Sequence, residues 1–302
     1  PNVYNAQITI DTAQNSGKGS WTYSLLPGWG GNNFIYLRDP AISYLVNPTL
    51  TKIDPASKKS PFILPDDEVE INTNSHASVR IQDTNGNLTG YIDSLVRSEI
   101  PGSIPLILDN GIKTPPYGYS LPANAYSIMM SNFPQGNSRA FLFTGNKSFG
   151  FERTGATNNQ TDHLYFDGSF SVANHDSDAK PINLLNIFNE TTREKVISFS
   201  GLTLSKNDSV RMETIAVDGL KLSSFGAASR TYRIELEFAA DTGIARFVYD
   251  PVSLEGNSSH LLQPDWENLS NSELDVLIDL GNDGSIDDTL NLANEVTDVH
   301  DG

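Results

Sequence analysis

The stretch Tyr232–Tyr249, "YRIELEFAADTGIARFVY", decides the fold. Tyr232, Ile234, Leu236 and Phe238 alternate with Arg233, Glu235 and Glu237. A period of two places the apolar groups on one face and the charges on the other, which is a half-buried β-strand. Asp241 and Gly243 then supply turn chemistry, and "IARFVY" reads as the returning strand of a hairpin. The same alternation recurs outward in both directions. "NAQITI", "SWTYSL" (Trp21, Tyr23 and Leu25 against small hydroxyls), "ASVRIQD" and "VISFSGLTL" are further strands, and "LDVLIDL" with "IDDTLNL" forms another pair.

Helical signals are sparse. "DPAISYLV" offers Asp39 as N-cap, Pro40 at the first helical position, and Ile42, Leu45 and Val46 on one side. "LTGYIDSLVRS" and "INLLNIFNETTREK" could each hold a turn or two of helix. Strands punctuated by turn signals, with almost no long helix, predict an all-β fold of two or three tandem antiparallel sandwiches, Ig-like or jelly-roll-like. Composition shifts at "NPTLTKIDPASKKSPFILPDD" and "RTGATNNQTD" divide the chain. The expected parts are an N-terminal strand region and linker at 1–60, an Ig-like sandwich at 61–152 and a larger sandwich at 153–302. No internal repeat is evident.

The 302 residues carry a net charge of -17 and no cysteine. That acidity argues against nucleic acid and anionic membrane surfaces, both of which need clustered Lys and Arg. Without cysteine there are no disulfides, thiolate zinc sites or cysteine nucleophiles. No run of about 20 apolar residues is present to span a bilayer. The opening "PNVYNAQITI" lacks an initiator Met, and the expectation is a mature, extracellular or cell-surface chain whose signal peptide has been removed. Seven Asn-x-Ser/Thr sequons occur in a chain this rich in Asn, where chance supplies about five.

The segment "VRIQDTNGNLTGYIDSLVRSEIPGS" resembles Ig-like accessory modules of secreted bacterial multidomain proteins. Such modules sit beside lipase-like α/β-hydrolases or in cell-surface proteins. The matching positions are Val79, Ile81, Asp83, Asn85, Gly86, Thr89, Gly90, Glu99, Ile100, Pro101 and Gly102. The resemblance covers about a third of the chain and implies a spacer or binding unit without a catalytic centre.

The richest candidate site is "IDLGNDGSIDD". In an EF-hand register Asp279, Asp283 and Asp287 fill positions 1, 5 and 9, and Gly284 supplies the turn at 6. Positions 3 and 12 are Gly281 and Leu290, which cannot ligate. Two readings stand: a plain hairpin turn, or a weak calcium site completed by Asp288, carbonyls or water. No cofactor is required by either reading. Asp66, Asp67, Glu68 and Glu70 in "PDDEVE" read as a solvated strand entry. His76, His163, His175, His260 and His300 show no H-E-x-x-H and no helical spacing, and read as loop histidines, although His163, His175 and Asp176 could meet in space. G-x-S-x-G is absent, and "GWGGNN" is followed by no nucleophile. Trp21, Trp29, Trp266, Tyr117 and Tyr119 could stack sugars.

The first functional expectation is a non-catalytic structural or adhesive protein, a filament subunit that pairs strand edges with its own copies or with other surface proteins. The alternative is an accessory polysaccharide- or substrate-binding region of a secreted hydrolase. An enzyme assembled from distant acids such as Asp66, Glu68 and Asp176 ranks last.

Overall fold

The structure, a computed structural model, describes residues 64–73, 77–106, 115–133, 136–190, 193–216, 218–240, 243–270 and 273–295, and the backbone of strands at 5–12, 17–26, 34–35 and 49–51. The helix expected at "DPAISYLV" lies outside the described residues. Among those described, the helical content is one 3-10 turn, Trp266–Asn268.

Strands β1 (Asn5–Thr12), β2 (Gly17–Leu26), β3 (Phe34–Ile35) and β4 (Thr49–Thr51) form a small antiparallel sheet in the order β3-β2-β1-β4. β1 pairs along its length with β2 and over Gln7–Thr9 with β4, so the N-terminal strand is paired on both sides within its own chain.

The rest of the chain builds two large antiparallel sheets. β5 (Glu68–Thr73) enters the first sheet. β6 (Ser78–Asp83), β7 (Leu88–Ile92) and β8 (Leu95–Ser98) enter the second. β9 (Ile104–Leu106) and β10 (Gly118–Pro122) return to the first, and β11 (Tyr126–Ser131) to the second. From there the chain lays down hairpins alternately in the two sheets. β12 (Asn137–Thr144) with β13 (Lys147–Thr154), β16 (Lys180–Asn189) with β17 (Glu194–Leu204), and β20 (Arg230–Ala240) with β21 (Gly243–Leu254) join the first. β14 (Thr161–Phe166) with β15 (Phe170–Ala173), β18 (Ser209–Ile215) with β19 (Gly219–Phe225), and β22 (Ser258–Leu262) with β23 (Glu273–Leu280) and β24 (Asp288–Ala293) join the second. The sheets have nine and eleven strands. At a strand spacing of about 4.8 Å the larger spans roughly 50 Å.

The two segments read as ambiguous are strands. Leu88–Ser98 folds as β7 and β8 around Asp93 and Ser94, both at positive φ. "INLLNIFNETTREK" contributes to β16 and β17. The expected boundary at 152/153 falls inside β13, which pairs with β12 on one side and β16 on the other. Each sheet draws strands from both sides of it, and one apolar cluster runs from Val69 to Leu292.

The hairpin scheme also reveals a repeat of topology. The crossings from the first sheet to the second at 205–209 and 255–259 have matching frames, Ser205-Lys-Asn-Asp-Ser209 and Glu255-Gly-Asn-Ser-Ser259. Asn207 and Asn257 are both at positive φ, a conformation Asn tolerates better than most residues.

The core explains the alternation. Ile234, Leu236 and Phe247 from the first sheet and Val210, Leu222 and Val276 from the second are fully buried. Phe149 stacks on Phe170 of the opposite sheet at 5.8 Å. A side chain such as Phe149 stabilises the fold by about 2–3 kcal/mol through area removed from water. A second apolar cluster, Leu64, Phe141, Phe143, Leu185 and Ile187, lies on the outer face of the first sheet.

Candidate functional site

The turn residues of the 79–103 segment serve local structure. Asp83 Oδ1 accepts from the Asn85 and Asn87 amides (2.9 and 2.8 Å), and its Oδ2 accepts from Asn87 Nδ2 at 2.8 Å, closing the turn around Gly86 at φ 86. Thr89 Oγ1 accepts from the Ile100 amide and meets Ser103 Oγ. At Gly90 a Cβ would stand 2.1 Å from the Val79 carbonyl oxygen.

The C-terminal loop follows the same plan. Asp279 is 1% exposed. Its Oδ1 accepts from the Asp283 amide (3.0 Å), and its Oδ2 accepts from the Gly284 amide (3.1 Å) and from Lys221 Nζ (3.2 Å). Asp283 accepts from the Ser285 amide, Asp287 from the Leu280 amide and Asp288 from the Thr289 amide. The Ser285 hydrogen bonds hold the Asp283 carboxyl below its usual pKa. The four carboxylates of the proposed calcium loop thus face their own backbone. The Lys221 ammonium stands beside the Asp279 carboxylate and balances its charge. Among the described residues no three His, Cys, Asp or Glu side chains are grouped as a metal centre.

The acids of "PDDEVE" separate. Asp66 and Asp67 are exposed, whereas Glu70 is 2% exposed and its Oε2 has no hydrogen-bond partner. Glu70 alternates with Val69 and Ile71, so it points away from the core. It stands in register with Phe143 and Ser120 on the face that carries the second apolar cluster. Burial there pushes its carboxyl up to about 8. The alternation placed it on the outer face; that this face is itself buried had no local signal.

The histidines have different fates. His76 and His300 lie outside the described residues. His260 is buried, its Nδ1 bonded to Tyr232 Oη at 2.8 Å across the two sheets, and burial lowers its pKa to about 4. His163 and His175 meet, with ring centroids 4.5 Å apart. Asp176 turns to Lys180 Nζ (2.7 Å) and the Thr161 amide (3.2 Å).

A buried ionic network lies where the chain crosses between sheets. Arg153, 2% exposed, pairs with Asp162 at 2.9 Å and donates to Gln160 Oε1 at 2.7 Å. Lys180, at the start of β16, meets Asp162 (3.2 Å) and Asp176. Arg230, at the start of β20, pairs with Asp208 at 3.2 Å, while its Nε and Nη1 are buried without partners. Arg230 also borders a cleft of about 350 Å³ lined by the hydroxyl residues Thr203, Ser205, Ser229, Thr231 and Ser253.

Among the described residues, two of the candidate sugar-stacking aromatics are buried. Trp266 is buried against Phe238 at 6.5 Å, and Tyr119 lies in the core. The side chains of Trp21 and Trp29 lie outside the described residues. No helix among the described residues is long and apolar enough to cross a membrane. Comparison with protein-family models, curated proteins and solved structures finds no match to the chain.

Proposed function

We propose that the chain is a non-catalytic structural or adhesive module of an extracellular or cell-surface protein, and that it associates end to end with further copies of itself. The observation that carries this reading is the character of the sheet ends. At one end the edge strands β8 and β9 expose Leu95 and Ile104, 48% and 42% accessible. At the other, the end of β23 and the loop before edge strand β24 expose Leu280 and Ile286, 47% and 46% accessible. Edge strands present unpaired amides and carbonyls, which natural sheets usually guard. Here one edge is guarded: the Glu295 amide donates to the Val248 carbonyl and Asn294 Oδ1 accepts from the Val248 amide, closing β21.

Contact between unlike ends does not close on itself and builds a fibre. Light scattering and electron microscopy of the purified chain test this. Concentration-dependent polymers that disappear in Leu95→Lys/Ile104→Lys are expected; a monodisperse monomer at millimolar concentration refutes the assembly.

The hydroxyl-lined cleft beside Arg230 favours a second reading, an accessory polysaccharide-binding region of a secreted hydrolase, because clustered hydroxyls suit polar sugar edges. Retention on immobilised polysaccharides that is lost in Thr231→Val/Ser253→Val would support it.

A further inference from the structure

His163 and His175 are twelve residues apart in sequence; they read as loop residues that could meet in space, and the β14–β15 hairpin brings them together. His163 lies opposite Ala173 in that hairpin, and Leu164 on its flank is in the core, so His163 and Tyr165 face outward. The chain leaves β15 through a tightly bonded turn. Asn174 Nδ2 donates to the carbonyls of Asp178 (2.8 Å) and Leu204 (2.9 Å), and Asn174 Oδ1 accepts from the Asp176 amide at 3.0 Å. Asp176 is in turn anchored by Lys180 and the Thr161 amide. This turn carries His175 back over His163, with the ring planes at 83°.

We infer that His163 and His175 form a two-imidazole site for a borderline transition-metal cation, with Cu2+ bound most tightly. Three observations support it. An imidazole nitrogen binds such an ion at about 2.0–2.1 Å, which puts two coordinated rings at centroid separations of about 4.5–5.2 Å for N–metal–N angles of 90–110°. The observed 4.5 Å lies within that span. Tyr165 Oη sits 3.2 Å from His175 Nε2. With Nε2–H donating to the phenol oxygen, Nδ1 is free to ligate, and an outer hydrogen bond of this kind is what holds a ligating imidazole in one tautomer. Third, Met129 stands in register with His163 on the neighbouring strand β11, a thioether residue opposite one of the two imidazoles. This donor set favours copper over calcium or magnesium, and copper heads the divalent stability series. Asp162 and Asp176 balance Lys180 and Arg153 nearby, so the site carries no net repulsion for a cation.

The test is a titration of the full chain with CuSO4 at pH 7, followed by calorimetry and electron paramagnetic resonance. One Cu2+ per chain at this site, with superhyperfine coupling from two nitrogens, is expected. His163→Gln and His175→Gln should each weaken it by about tenfold or more, while His260→Gln leaves it unchanged. Ca2+ should bind at least a hundredfold more weakly. Either surface variant is checked for folding by circular dichroism. The spectrum provides an independent readout: a signal showing one nitrogen or none, or affinity unaffected by both His163→Gln and His175→Gln, would overturn the site.

Discussion

Glu70→Gln isolates the cost of holding one carboxyl away from water. In the fold its pKa is about 8 against 4.5 in the free side chain. Below pH 4.5 the group is protonated in both folded and unfolded chains and costs nothing. As pH rises towards 8 the unfolded chain ionises while the folded chain stays protonated, so stability falls; above 8 the loss levels off. The full displacement corresponds to about 5 kcal/mol, with a slope of about 1.4 kcal/mol per pH unit in between. Glu70 is 2% exposed, so solvent screens little of this. Gln has the same shape and does not ionise. Guanidinium midpoints measured at intervals from pH 5 to 8.5 should therefore converge for the two proteins at the acid end and separate steadily above it, with the variant the more stable. Other titrating groups contribute equally to both and cancel in the difference. Parallel curves would mean that Glu70 is solvated or paired in the native protein, and the account of the outer apolar face would fail with it.

His260 works in the opposite direction. With its folded pKa near 4 against 6.5, its contribution is present above pH 6.5 and is lost as pH falls towards 4, about 3 kcal/mol in total; His260→Gln should remove that acid limb from the pH–stability curve. Arg153→Met leaves the buried Asp162 with Lys180 as its one remaining cation and should cost about 3 kcal/mol, read from the shift in denaturation midpoint, whereas Arg153→Met/Asp162→Leu should recover part of the loss, since Lys180 keeps Asp176 as its partner. Calcium and chelator should leave the melting temperature within about 1 °C of each other, since a loss of 1 kcal/mol moves a domain this large by only a few degrees and Asp279 is already neutralised by Lys221. A calcium-dependent rise of several degrees would show that the loop rebuilds around the ion.

What sequence alone determined was local. Alternation in "YRIELEF" fixed a strand and its buried face, because side-chain direction has a period of two whatever the strand pairs with. Turn chemistry fixed the hairpins, since Asp83 and Asp279 cap turns only a few residues away. Leu88–Ser98 and Ile182–Lys195 stayed ambiguous because short apolar runs fit either period until a partner strand selects one. Only the tertiary structure decided which sheet each hairpin joins, and so that one double layer runs through the expected 152/153 boundary. It alone placed Glu70 beneath a second apolar cluster and His175 over His163. The physical reason is shared: a strand's sequence specifies its two faces, but what covers them is chosen by contacts between residues far apart in the chain, and burial, charge pairing and ligand geometry all follow from that choice.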